Sequence, residues 1–135
     1  IPENYTLHIN LAMAYGNLGR ETESVEHLKR AIEVAPTAAA PRLFYARWLK
    51  YKGRIQECQA ELETAMRANR VYFPVRDLLM EIYAQQQNQA ALDRLARETL
   101  ELYPGDETAQ AYVDRVNGVS TGSPKSARQD ALWSH

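Results

Sequence analysis

The chain is nearly without cysteine. Cys58 stands alone, so no intramolecular disulfide can brace the fold and stability must come from burial. Long apolar runs are missing too: nothing approaches the roughly 18 residues of a membrane span, so direct membrane insertion is not expected. Charge of one sign is not in excess. A net charge of −1 gives no general pull toward nucleic acid or anionic lipid, and a nucleic-acid partner is not expected. The six glycines do not form a phosphate-cradling loop, and no nucleophile elbow is present. His8, His27 and His135 lack metal-ligand spacing to one another or to Cys58. No catalytic residue, metal or cofactor is therefore expected, and the chain reads as a non-enzyme. The remaining polar residues take bland readings. Cys58 is a buried structural thiol, His8 a packing or boundary residue, and His27 a solvated neighbour of Glu26. Glu21 with Glu23, and Glu61 with Glu63, lie two apart on helices and read as solvent-facing charges.

What the chain has is helical periodicity almost throughout 135 residues, enough for one domain. Leu7, Leu11, Ala14, Tyr15 and Leu18 are followed by Val25, Leu28 and Ile32, and strand alternation is absent. The pattern predicts an all-α fold of seven helices at about 4–18, 21–35, 38–52, 55–68, 73–86, 89–103 and 106–117. Gly19 and Gly53 fit helix closures and Pro36 and Pro104 fit helix ends. Pro41 and Pro74 fit first helical turns. The pattern also repeats: Ala12 and Ala46, Gly19 and Gly53, Leu28 and Leu62, Ala31 and Ala65 are each 34 residues apart. The chain begins at Ile1 without a methionine and reads as a piece of something longer.

These residues resemble the tetratricopeptide repeat. The first repeat, 5–38, has Leu11 and Ala12, Tyr15, Gly19, Ser24, Leu28, Ala31 and Pro36 in the family's slots. The second, 39–72, has Tyr45, Ala46, Leu49, Gly53, Cys58, Leu62 and Ala65, with Arg70 in place of the proline. The third, 73–106, keeps Tyr83 and Pro104 but puts Met80 and Leu92 in small slots, Gln87 at the glycine and Thr99 at the alanine. Large residues in small slots imply a looser or displaced last pair. A capping helix follows at 106–117, with Ala109, Tyr112, Val113 and Val116 on its apolar face. The N-terminal end has no obvious cap. A polar tail occupies 118–135, and its Leu132 and Trp133 are expected to anchor it on a repeat surface, in cis or on a second copy.

The resemblance implies an α-α superhelix that binds a protein or peptide in a concave groove lined by the first helix of each repeat. The family's groove slots fall on Ile9, Met13 and Asn17, then Leu43, Arg47, Lys50 and Tyr51, then Asp77, Glu81, Ala84 and Gln85. Apolar pockets are expected from Ile9, Met13 and Leu43, and cationic and aromatic contacts from Arg47, Lys50 and Tyr51. The clamp that holds the C-terminal carboxylate of heat-shock proteins is not implied. Its positions are here Ile9, Met13, Phe44, Pro74 and Leu78, none of which can hold a carboxylate. Two further roles stay open. Phe44 to Leu49 and Leu95 to Leu100 look similar to repeats appended to bacterial membrane glycosyltransferases, which implies a regulatory or substrate-presenting part of an enzyme. A self-assembling scaffold, joined through the tail or the N-terminal end, is the other.

Overall fold

The computed structural model describes residues 4–118, and Leu132 and Trp133 with the rest of the expected tail contact lie outside the described residues. Seven α-helices fill this span: α1 (Tyr5–Asn17), α2 (Glu21–Val34), α3 (Ala39–Tyr51), α4 (Ile55–Ala68), α5 (Phe73–Gln85), α6 (Gln89–Leu102) and α7 (Glu107–Val116). Every end lies within one residue of its predicted place. The odd helices start at 5, 39, 73 and 107 and the even ones at 21, 55 and 89, so the 34-residue register carries through the whole solenoid, α7 included.

Two kinds of helix end set the turns. α1, α3 and α5 each close in a left-handed residue: Gly19 at φ 75°, Gly53 at φ 78° and Gln87 at φ 58°. The next N–H folds back to a carbonyl in the last turn, Arg20 to Tyr15 and Arg54 to Leu49 at 2.8 Å, and Asn88 to Tyr83 at 2.9 Å. The even helices instead leave the helical conformation at Ala35, Asn69 and Tyr103, with φ of −135°, −146° and −145°. A tight turn therefore joins the two helices of a repeat, and an open one leads to the next repeat. Gln87 adopts the glycine conformation because the same folded-back bond holds it there.

Small residues let paired helices approach. Ala12, Ala46, Ala31, Ala65, Ser24 and Cys58 are all buried, the last as expected. α1 and α2 come so close that the Ser24 hydroxyl donates to the Ala12 carbonyl at 2.7 Å. Met80 and Leu92 are buried in the corresponding slots of the third pair, where the α5 and α6 backbones approach each other less closely than those of the first two pairs. The looser third pair is thus what large side chains in small slots produce.

Arginines and carboxylates tie the helices, and here the bland readings need correction. Arg42 donates to Glu61 at 2.9 Å and to the Pro36 carbonyl at 3.2 Å. One repeat later, Arg76 is fully buried and donates to the Arg70 carbonyl at 2.6 Å, Glu98 at 3.0 Å and Thr99 at 3.2 Å. Glu21 accepts from the Trp48 indole at 2.6 Å and pairs with Lys52 at 3.3 Å. Glu23 meets Arg20, and Glu63 accepts from the Tyr83 hydroxyl at 2.9 Å. Glu21, Glu61 and Glu63 are not simple solvent-facing charges, because each meets a partner on another helix, whereas Glu23, whose bond to Arg20 is exposed, fits that reading. His27 is not solvated either. It is half-buried, stacked near Tyr15, with its Nδ1 3.0 Å from that of His8. The fold brings together two histidines that their spacing did not connect.

Candidate peptide-binding face on the odd helices

The expected groove residues fall into three rows by register, each row one position repeated at 34-residue intervals. Ile9, Leu43 and Asp77 form the floor. Met13, Arg47 and Glu81 form the middle, and Asn17, Tyr51 and Gln85 the rim. Exposure rises in that order. Ile9 and Leu43 are buried, the middle row is half-buried, and Asn17, Tyr51 and Gln85 are exposed. At 3.6 residues per turn each step of four residues drifts about 40° around the helix, so i, i+4 and i+8 turn from the core side toward solvent.

Leu43 needs a correction. At 2% exposure it belongs to the hydrophobic core and offers no pocket to a ligand. Ile9, at 8%, is nearly as deep. With Ile9 and Leu43 this deep, the apolar part of the expected pocket reduces to half-buried Met13. Tyr51, at 52%, is the large side chain most open on the rim.

The charges are not laid out for a ligand alone. Lys50 lies 3.5 Å from Glu81, with both side chains mostly buried, and this pair ties α3 to α5 across the face. The Arg47 guanidinium lies over the Phe44 ring at 5.3 Å. Arg47, Asp77 and Glu81 each hold a polar side-chain atom in the buried layer, and all three are engaged with neighbours. The step from basic to acidic along the face is therefore largely an internal pairing between adjacent odd helices. At the positions of a carboxylate clamp, Leu78 is fully buried and Phe44 is occupied by Arg47.

Sequence reasoning missed the positioning residues. Arg42 and Arg76 hold the starts of α3 and α5, and Glu21 holds Trp48 on α3. Arg76 and Arg70 together keep the Glu98 carboxyl below the usual carboxylate range, and the Trp48 bond does the same for Glu21. Burial, then the bond to Glu63, pushes the Tyr83 hydroxyl up to about 12. One signal was available: His8, Arg42 and Arg76 recur at the 34-residue period. Among the described residues no group of three or more His, Cys, Asp or Glu side chains could hold a metal ion, and no helix is long and apolar enough to cross a membrane.

With this geometry in hand, comparison with known proteins is informative. Residues 5–37 match the family model of the tetratricopeptide repeat. The structure superimposes on the first tetratricopeptide domain of Spaghetti (RPAP3) bound to the HSP90 peptide SRMEEVD, with a TM-score of 0.71 and 13% identity over 87% of this chain and 95% of that one. It also superimposes on MamA, with a TM-score of 0.70 and 18% identity over 98% of this chain and 77% of that one. At such identities the likeness establishes the fold. No curated protein matches the chain.

Proposed function

We infer, from a chain that is a tetratricopeptide-repeat solenoid of three repeats and a capping helix, that it is a protein-interaction module binding an extended peptide along its odd helices. The observation that carries this reading is the three-row ladder, which places Asn17, Tyr51 and Gln85 open to solvent above Met13, Arg47 and Glu81. An extended chain has side chains alternating at about 3.3 Å per residue, and helices stacked at the usual 8–10 Å match it roughly once every three residues. The rim offers two side-chain amides for peptide hydrogen bonds and one aromatic ring for stacking. The Lys50–Glu81 pair fixes the spacing between α3 and α5 and is a positioning element as much as a contact. A free C-terminal carboxylate is not what this face selects, since the clamp positions are Ile9, Met13, Phe44, Pro74 and Leu78. The neighbour seen with an HSP90 peptide supports peptide binding by this fold, not that ligand for this chain.

A random-peptide phage library panned on the full 135-residue chain tests the reading. The enriched peptides should bind the Tyr51→Ala variant about tenfold more weakly, or roughly 1.4 kcal/mol. Tyr51 is exposed, so this change leaves the fold intact. Enriched peptides that bind Tyr51→Ala and Asn17→Ala as tightly as the parent would place the site elsewhere.

A further inference from the structure

One tie between helices departs from its counterpart in the next repeat. Between α3 and α4, Arg42 donates to Glu61 at 2.9 Å, with both side chains mostly buried. Between α1 and α2 the same two register positions, 34 residues earlier, hold His8 and His27. Both are half-buried, their ring centroids are 5.2 Å apart, and their Nδ1 atoms are 3.0 Å apart. Tyr15 of α1 stacks on His27 at 5.5 Å with the rings 10° from parallel. An arginine and a carboxylate keep opposite charges down to about pH 5. Two imidazoles cannot, because histidine changes its charge between about pH 5 and 8.

When both rings are neutral, the Nδ1–H of one donates to the bare Nδ1 of the other. The contact survives a first added proton, which settles on the far nitrogen of the donor ring. A second proton must go onto the accepting Nδ1. Two N–H groups then face each other at hydrogen-bond distance, the bond is lost, and two like charges meet. The charged neighbours are largely committed elsewhere. On α2, Glu23 and Arg30 lie one turn from His27; Glu23 is held by Arg20, and Arg30 donates to Glu33 at 2.9 Å. Glu26, beside His27, is exposed, and Arg20 lies over the Tyr15 ring at 5.1 Å. α1 has no Asp, Glu, Lys or Arg among its thirteen residues. Of the cations on α3, which packs on α2, Arg42 serves Glu61 and the Pro36 carbonyl, Arg47 lies over Phe44, and Lys50 pairs with Glu81.

We propose that His8 and His27 form a proton-operated latch on the first repeat, closed while their Nδ1 atoms share one proton and opened when both imidazoles are charged, so that α1 withdraws its rung of the peptide-binding ladder at acid pH. The gating half rests on the peptide-binding reading above. Met13 and Asn17 lie on the same helix as His8, and α2 is the helix on which α1 chiefly packs. The unfolded chain can charge both histidines independently, so it binds more protons than the latched fold. Stability therefore falls as pH drops from about 8 to 5. Glu21 and Glu98, whose carboxyls are held below the usual range, lose their contributions only at lower pH, under the unfolded value of about 4.3.

The full chain is melted at about pH 7.5 and about pH 5, beside two variants. His8→Arg with His27→Glu installs the pair of the second repeat, and His27→Gln leaves an amide partner that takes up no proton. The parent should lose about 4 °C or more between the two pH values, and each variant less than half as much. Should one variant fail to fold, the other decides. A parent that melts alike at both pH values, or variants that lose as much as the parent, overturns the latch. For the gate, a library-selected peptide free of His, Asp and Glu is titrated at both pH values. Its affinity for the parent should fall about tenfold at acid pH, and for the variants less than about twofold. A melting step in the parent with no fall in affinity overturns the gate. Failure of the peptide-binding reading looks different: at about pH 7.5, with the latch closed, binding would be indifferent to Tyr51→Ala and Asn17→Ala, and the gate would fall with it.

Discussion

Single residues carry strain and charge that the repeat pattern hides. Gln87 stands at φ 58° where its counterparts are Gly19 and Gly53. A side chain in this region costs about 1–2 kcal/mol against glycine, part of which is returned by a stiffer unfolded chain. Gln87→Gly should therefore stabilise the fold by about 0.5–1 kcal/mol, read as a higher urea midpoint, while Gly53→Gln should destabilise it by a similar amount. Glu98 gives the matching prediction for charge. Arg76 and Arg70 depress its folded pKa, so its contribution is full above the unfolded carboxylate value of about 4.3 and is lost as pH falls through the lower folded value. Glu98→Gln should lose on the order of 1 kcal/mol at pH 7, a modest figure because the carboxylate is partly screened by water. The gap between parent and variant should narrow as pH falls below the unfolded carboxylate value, as urea titrations at neutral and acid pH would reveal.

Whole helices were legible because their determinants are local. Apolar spacing, Gly19, Gly53 and the prolines act within a few residues, and a 34-residue period reports them more than once. Pairings between helices were not legible. Glu21 with Trp48, Glu63 with Tyr83 and His8 with His27 join positions 27, 20 and 19 residues apart, and nothing local announces them. The depth of Leu43 escaped for a related reason: groove and core share one helix, and Leu43 and Arg47 differ by only about 40° around it. Slot size was readable, and it yields a prediction for packing. Ala46→Leu forces a large side chain between α3 and α4 and should cost roughly 1–3 kcal/mol. Met80→Leu keeps volume in a slot already built for it and should cost less than about 1.5 kcal/mol. Equal shifts in urea midpoint at the two sites would mean that the third repeat is packed like the first two.

At the scale of the molecule, a ladder of odd helices runs the length of the described solenoid. Its internal ion pairs, Lys50 with Glu81 and Arg42 with Glu61, hold neighbouring helices in register rather than waiting for a ligand. Peptide affinity should accordingly depend only weakly on salt, since few of the charges gained in the complex are new. The central claim is that recognition happens on the odd-helix ladder. The most direct measurement is an amide chemical-shift map of the full chain titrated with a library-selected peptide. The account predicts that the largest shifts fall on Met13, Asn17, Arg47, Tyr51, Glu81 and Gln85. Largest shifts on the outer faces of α2, α4 and α6, with the ladder unmoved, would contradict it.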